Sequence, residues 1–403
     1  MIDFVLDEKT KKNKVTLFMK RIKESFCSFI ESMAVGQDYF LMRESYFFGY
    51  FLLILLLLSV FTGCSKEKTV QLTELKLSSV LSSNYSPVIC ITVEDGLAEK
   101  YGVLPKIQFD DNFEPLMTGK IDGKLNNLAN PLISGANGAD IIIFAGTMSG
   151  GHFVFANKNI AEQLKDPKNW KGHSLAMRTR VTSQLVLSAV LKEKYGYTRD
   201  EVAFKIFESD NAAISACMKG EVEIAPVSYG MRDTAVAQGL VQIGKLVDYY
   251  PDYACCRQTA YGPKFRSDRK LYVSWLKGLI QAWKIYSNNQ EEAVRVVQHV
   301  TRQDKDWAYN HIYNKEQTAD VSFNPDPFYN GVLSQYAICI EHGYINEKHR
   351  ELQEYFDISA YADALREVIK ENQDDQFYKD MWTYFVEHNN KYPDFDKNYP
   401  KKI

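Results

Sequence analysis

The sequence predicts an α/β protein of two blocks, with mixed, mainly parallel sheets and a helical C-terminal extension. Three observations carry that expectation. Short apolar runs alternate with segments of helical periodicity from Leu72 to about Tyr250, the rhythm of strand–helix units. The rhythm occurs twice over, in two stretches of similar size. Beyond Pro251 it gives way to apolar residues at helical spacing, as at Val294, Val297 and Val300. A chain of 403 residues has room for one large or two to three ordinary domains, and 45% hydrophobic against 25% charged residues suits a sizeable core. The formal net charge of −3 offers no basic field for nucleic acid. The 25 Tyr and 23 Phe fit a well-filled core as well as a sticky cleft.

The N-terminal region departs from this pattern. From Tyr46 to Phe61 every residue is apolar or small except Ser59. That run is short for a membrane span, which needs roughly 20 residues. It suits the apolar part of a signal peptide, about 7–15 residues. It ends in Phe61-Thr62-Gly63-Cys64, which resembles the lipobox of bacterial lipoproteins, with Phe61 where leucine is commonest. Met42-Arg43 supplies a minimal basic stretch ahead of it. The expectation is a start at Met42, with 1–41 a mis-called extension and 42–63 a lipoprotein signal peptide. Residues 64–71 would then be the lipidated Cys64 and a tether. The alternative is an uncleaved anchor helix followed by an incidental cysteine.

The elements then follow in order. LTELKLSSV (72–80) alternates like a half-buried strand. Ser86-Pro87 opens a helix and Gly102 stops it. PKIQFD is a second strand. The segment from Gly119 reads as a polar turn, a helix and the apolar strand Ile141–Ala145, before a glycine-rich loop and a strand at His152–Ala156. In the second block, Ser174–Met177 is a strand and a helix starts near Thr182. VAFKIFES and EVEIAPVSY are strands either side of the helix DNAAISACMKG, MRDTAVAQGL is helical, and VQIGKLVDYY returns the chain to the surface. Helices are expected over LYVSWLKGLIQAWKIYS and QEEAVRVVQHV, and around Phe328–His342, Ala360–Glu371 and Gln376–His388. No period of 20–50 residues recurs, which excludes a repeat array.

Four of these segments, in this order, resemble the type II periplasmic-binding-protein fold. The branch is that of ABC importers of nitrate, bicarbonate, sulfonates, taurine and the thiamine pyrimidine precursor. They are SPVICITVEDGLAEKYGV, GANGADIIIFAGTMSGG, DPKNWKGHSLAM and ACMKGEVEIAPV, and the similarity spans roughly Leu72 to His311. Trp170, His173 and Glu223 stand where that family usually has Leu, Lys and Asp. The resemblance implies two lobes joined by crossing strands. Lobe one would be 72–156 plus 248–403 with the C-terminal helices, and lobe two 157–247, with the ligand between them.

In such sheets ligands sit at the C-terminal ends of strands, where loops and helix N-termini converge. That rule selects the candidates. Ser82, Ser83, Asn84 and Tyr85 follow the first strand, where free backbone N–H groups suit an oxyanion or simply cap the helix. Gly146, Thr147 and Ser149 follow the apolar strand; the loop lacks the Lys-Ser/Thr of a phosphate-cradling P-loop and reads as cleft wall. Arg178, Thr179, Arg180, Thr182 and Ser183 bring cations and hydroxyls to a helix N-terminus, an anion site or a capped, solvated turn. Ser228 and Tyr229 end another strand. Cys255 and Cys256 are neighbouring thiols, which on a strand point to opposite sides, so one is buried and the other can approach the cleft; the resemblance puts this stretch on the strand returning to lobe one, which makes Arg257 a candidate for ligand contact.

The function expected is a lipid-anchored substrate-binding protein of an ABC importer, in the cell envelope. Its partners would be the permease and ATPase subunits, the membrane through the lipid on Cys64, and a small-molecule ligand, with no nucleic acid. Neither a cofactor nor a metal is expected. The histidines pair with no acid at ligand spacing, and H-E-x-x-H, G-x-S-x-G and G-x-G-x-x-G are all missing, so the reading is not an enzyme. A small anion fits Arg178 and Arg180; a planar heterocycle such as a thiamine-precursor pyrimidine fits Tyr85, Tyr229, Tyr253 and Tyr261 by stacking. A non-transport surface lipoprotein is the reading of a different class.

Overall fold

The computed structural model describes residues 71–79, 86–110, 112–178, 181–198 and 201–403. The leader with Met42 and Cys64, the loop residues Ser82, Ser83, Asn84 and Tyr85, and Thr179 and Arg180 lie outside the described residues.

The strands are β1 (Thr73–Ser79), β2 (Val103–Phe109), β3 (Gly123–Asn127), β4 (Ile141–Met148), β5 (His152–Ala156), β6 (Ser174–Arg178), β7 (Ala203–Phe207), β8 (Ile224–Ser228), β9 (Val241–Lys245) and β10 (Cys256–Tyr261). They form two five-stranded sheets, ordered β2-β1-β3-β10-β4 and β7-β6-β8-β5-β9. In the first, β1 pairs in parallel with β2 and β3, while β10 runs antiparallel between β3 and β4. In the second, β6 is parallel to β7 and β8, while β5 runs antiparallel between β8 and β9. Each sheet is therefore mixed, with one reversed strand. That strand is in both cases the first one laid down after the chain crosses from the other sheet.

This topology moves one expected boundary. Residues 152–156 were expected in lobe one, but β5 is hydrogen-bonded on both sides within the second sheet. The crossing is at Ser149–Gly151. Gly150 and Gly151 have φ of +71° and +78°, which glycine adopts without the Cβ clash that opposes it elsewhere. A second correction concerns β3. GKLNN reads as a polar turn, yet it is an inner strand with Lys124 and Asn126 buried. The Lys124 ammonium is satisfied there by Ser78 Oγ at 3.1 Å and the Asp110 carbonyl at 2.6 Å, so its burial does not leave a naked charge.

Among the helices, α1 (Pro87–Glu94) starts on its proline, where the missing N–H has no helical partner to lose. It is followed by α2 (Ala129–Ala136), α3 (Thr182–Tyr195), α4 (Asp210–Lys219) and α5 (Arg232–Ala237). The C-terminal extension adds α6 (Gly262–Ser267), α7 (Arg269–Asn288), α8 (Gln290–Thr301), α9 (Lys305–Ile312), α10 (Tyr329–Glu341), α11 (Ser359–Glu371) and α12 (Gln376–Asn389). The long amphipathic α7 packs its apolar face on α1 and α11, over the first sheet. The extension also reaches the second lobe. Helix α10 packs on α3, and Lys245 at the end of β9 bridges Glu316 and Asp320, each at 3.0 Å. No helix among the described residues is long and apolar enough to cross a membrane.

Two of the positions that depart from the resembled pattern, Trp170 and Glu223, are structural. Trp170 is fully buried and its indole N–H donates to the Leu164 carbonyl at 2.8 Å. The Glu223 carboxylate accepts from the Ser174 N–H at 2.8 Å and from the Ser174 hydroxyl. Burial alone would raise its pKa, but these hydrogen bonds hold it below the usual glutamate range.

Candidate functional site at the crossing between the lobes

The two crossing segments, Ser149–Gly151 and Leu246–Cys255, bring together the C-terminal strand ends of both sheets. At this point one carbonyl joins the two lobes. Cys255 O accepts from the Leu128 N–H at 2.9 Å and from Thr182 Oγ1 at 3.3 Å. Thr182 Oγ1 in turn accepts from the Ala129 N–H at 3.1 Å. The first turn of α3 is thereby fastened to the first turn of α2. Thr182, read as an anion ligand, is 1% exposed and serves this latch instead. Ser183 beside it is buried next to the Tyr253 hydroxyl.

Two of the candidate arginines are engaged elsewhere. Arg178 ends β6 and its guanidinium lies 3.3 Å from the Asp210 carboxylate at the start of α4. Arg257 is 1% exposed. Its Nε donates to Pro327 O at 2.9 Å, Nη1 to Met148 O at 3.0 Å and Cys256 O at 2.7 Å, and Nη2 to Ser149 Oγ at 3.2 Å. Burial pushes its pKa down to about 10, which leaves it a cation at neutral pH. Arg257 is thus a fastener of the fold rather than a cleft residue.

The glycine loop is also not an open wall. Residues 319–325 lie along it as an irregular antiparallel partner. Gly146 N donates to Pro325 O at 2.9 Å, Ser149 and Ser322 exchange backbone bonds at 2.8 and 2.9 Å, and Gly151 N donates to Ala319 O at 3.0 Å. A Cβ at Gly146 would sit 2.5 Å from Asp326 O and closer still to Asn324 O. The glycines admit this strap, not a ligand. Thr147 Oγ1 is buried without a partner among the described residues.

What remains at the crossing is a set of neutral or thiol groups. Asn126, near the C-terminal end of β3, is 1% exposed, and neither its amide nitrogen nor its oxygen has a hydrogen-bond partner among the described residues. Ser228 ends β8, buried opposite His152. Tyr229 is 3% exposed, and its hydroxyl is likewise without a partner among the described residues. Desolvation, then the nearby Tyr286, Cys256, Cys90 and Cys255, raise the Tyr229 pKa well above the ordinary tyrosine value, so it is a neutral donor.

Beside it Cys255 Sγ and Cys256 Sγ lie 3.2 Å apart, Cys255 buried and Cys256 half-buried. The two thiols meet rather than diverge because β10 begins only at Cys256, so the alternation of a strand does not bind the pair. His152 Nδ1 is 3.9 Å from Cys255 Sγ and 3.4 Å from the Tyr253 hydroxyl. A hydrogen bond from Cys256, against the opposing effect of burial and with help from His152, lowers the Cys255 pKa well below the usual thiol value. Burial opposes charge on His152, but Cys255 outweighs it and raises the imidazole. Both shifts run toward a thiolate on Cys255 and a proton on His152.

The C-terminal helices supply an aromatic side to this region that sequence reasoning missed. Tyr229 packs on His311 at 4.8 Å between ring centres and on Phe323 at 6.4 Å. His311 stacks on Trp307, and Tyr286 stacks on Tyr313 and meets Phe323 edge-on. Trp307 and His311 are one helical turn apart on α9, a spacing visible in sequence, but nothing local ties that face to Tyr229. Away from the crossing, Glu193, Glu341 and His342 have ligand atoms within 4.8 Å of one another, but the Lys192 ammonium already lies 3.0 Å from Glu341.

No family model matches the chain, and no curated protein does. Solved structures match it over most of their length. The ligand-binding component of an ABC-type import system from Staphylococcus aureus, with zinc bound, aligns with a TM-score of 0.59 at 15% identity, covering 72% of this chain and 99% of that one. The periplasmic nitrate-binding protein NrtA from Synechocystis gives 0.59 at 13% identity, covering 73% and 89%. The aliphatic sulphonate-binding protein SsuA from Escherichia coli gives 0.56 at 13% identity, covering 70% and 91%. The fold is that of the periplasmic binding proteins. These three share the periplasmic-binding-protein fold as binding proteins, and it also occurs in an enzyme, the desulfurization enzyme DszB, at a TM-score of 0.52 and 9% identity over 73% and 99% of the two chains.

Proposed function

We propose that this chain is the substrate-binding component of an ABC importer, anchored in the cell envelope by lipid on Cys64, and that it passes a small molecule to permease and ATPase subunits. The observation that carries the proposal is a pair of buried hydrogen-bonding groups near strand ends of the two sheets, the Asn126 amide and the Tyr229 hydroxyl, that have no partner among the described residues. Buried polar groups are nearly always bonded, so such groups at the strand ends of a two-lobed fold suit a ligand. Binding between the lobes would favour the closed arrangement by its differential affinity for the two states.

The ligand class follows from which groups are engaged. Arg178 has Asp210 and Arg257 has four acceptors, whereas Asn126, Ser228 and Tyr229 are neutral and Tyr229 is backed by rings. This favours a small planar heterocycle of the pyrimidine type. An anion of the nitrate, sulfonate, taurine or bicarbonate type is the second reading, supported by the part-exposed Arg178 at the end of β6. Thermal-shift and calorimetric titration of the purified protein with both classes tests this. Saturation at 100 times Kd should stabilise by about 2.7 kcal/mol. Stabilisation by anions alone selects the second reading; stabilisation by neither refutes the transport role and leaves a non-transport surface lipoprotein.

A further inference from the structure

We propose that Cys255 and Cys256 are a peroxide-reactive vicinal dithiol, in which Cys255 is the attacking sulfur, Cys256 resolves it to an intramolecular disulfide, and the link loosens the latch between the lobes. The inference goes beyond the transport reading and does not depend on which ligand the crossing binds.

The geometry places each participant. The two sulfurs are already in contact at 3.2 Å, and a disulfide requires about 2.05 Å. His152 Nδ1 stands 3.9 Å from Cys255 Sγ and is itself held by the Tyr253 hydroxyl. The charged neighbours of Cys90 and Cys217 are instead the carboxylates of Glu94 and Glu223, which oppose thiolate formation. Cys90, Cys217 and Cys339 are buried, and burial pushes each of them up to about 12, the behaviour of inert thiols. Cys255 is 2% exposed and Cys256 half-buried, so peroxide has to reach Cys255 past Cys256.

The chemistry balances without another partner. The Cys255 thiolate attacks one peroxide oxygen and the O–O bond breaks, giving a sulfenic acid and hydroxide. The proton of the His152 imidazolium converts that hydroxide to water. The Cys256 thiol then displaces the sulfenic oxygen, its own proton leaving with it as a second water. Two thiols are oxidised by two electrons, and one peroxide is reduced to two waters. Sulfenic acids condense with neighbouring thiols in this manner.

The structural consequence follows from the backbone. An eight-membered ring through residues 255 and 256 must turn the peptide between them. The carbonyl of that peptide is Cys255 O, which accepts from Leu128 N of the first lobe and Thr182 Oγ1 of the second. Turning it removes the shared acceptor. Strained disulfides are the readily reduced, regulatory kind, so the change is reversible by a dithiol.

The test uses the full-length protein with stoichiometric hydrogen peroxide. The peptide spanning residues 255–256 should lose two hydrogens in mass, regained with dithiothreitol. Cys256→Ser should stop at a sulfenic acid on Cys255 that dimedone traps, and His152→Gln should slow the reaction of the wild-type pair about tenfold. Small-angle scattering should show the oxidised form less compact than the reduced one. Oxygen addition to either cysteine without a link, or equal reaction at Cys90, Cys217 or Cys339, overturns the assignment. Identical scattering profiles for the two forms overturn the coupling to the latch.

Discussion

Replacing Thr182 with valine removes the hydroxyl of the interlobe latch while keeping side-chain shape. The magnitude can be worked from the partners left behind. The variant loses the hydrogen bond from Ala129 N at 3.1 Å and the one to Cys255 O at 3.3 Å. Neither partner becomes an orphan. Ala129 N also donates to Asn127 Oδ1 at 3.1 Å, and Cys255 O still accepts from Leu128 N at 2.9 Å. The full desolvation penalty of a stranded buried group therefore does not apply, and each lost bond counts at its net worth of about 0.5–1.5 kcal/mol. Thr182→Val should lower unfolding free energy by about 1–3 kcal/mol in urea titration, with an unchanged m-value. Small-angle scattering should show a more open average arrangement, since both bonds span the lobes. A loss above roughly 3 kcal/mol would mean that a partner is stranded after all, and a loss near zero would mean that the hydroxyl is solvated; either refutes the reasoning.

The other predictions concern the strap, the orphan hydroxyl and one carboxylate. Gly146→Ala forces a methyl against the backbone oxygens of Asn324 and Asp326, so it should cost about 1–3 kcal/mol and expose residues 319–328 to limited proteolysis. Tyr229→Phe removes a buried hydroxyl that has no partner among the described residues, so stability in urea should hold or rise, while ligand affinity in calorimetry should fall about tenfold, the loss of one hydrogen bond of about 1.4 kcal/mol. The folded-state pKa of Glu223 is depressed, so its contribution is present above the ordinary glutamate pKa and is lost as pH falls through the lower folded value. Urea midpoints measured between pH 6 and pH 3 should therefore fall more steeply for the wild type than for Glu223→Gln.

Where a local pattern sets the outcome, the sequence was legible. The alternation of β1, the apolar run of β4, the proline that opens α1 and the amphipathic helices beyond Pro251 were all readable from spacing. What failed depended on distant partners. GKLNN looks like a turn because its lysine and asparagines are polar, and it is a buried strand because Ser78 and Asp110 receive the lysine from elsewhere in the chain. β5 looks contiguous with β4, and only the two-sided pairing with β8 and β9 assigns it to the second sheet. The site shows the same division. Ser228, Tyr229, Thr182 and Ser183 were placed at strand ends and helix starts by a topological rule, and they are found there. Their duties were not readable, since the partners of Thr182 and Arg257 lie dozens of residues away in sequence.

The strap explains why Arg257 is committed to structure. Ala319, Asp320 and Phe328, at its two ends, have positive φ of 51°, 52° and 57°, a conformation that disfavours any side chain with a Cβ. Each such residue costs of the order of 1–3 kcal/mol and persists only where its surroundings over-determine it. Arg257 holds the Phe328 end: it donates to Pro327 O and to Met148 O and Ser149 Oγ of the crossing strand, and its guanidinium lies 5.6 Å from the Phe328 ring centre, while Gly151 N and Lys245 hold Ala319 and Asp320. Asp326 completes the clamp, accepting from Phe328 N at 2.8 Å and from the Asn389 amide at 2.9 Å. A guanidinium recruited to an incoming anion would have to leave these acceptors and release the strained Phe328 end of the strap. The cheaper arrangement is one in which Arg257 never leaves and the ligand is read by groups that hold nothing else in place, the Asn126 amide and the Tyr229 hydroxyl.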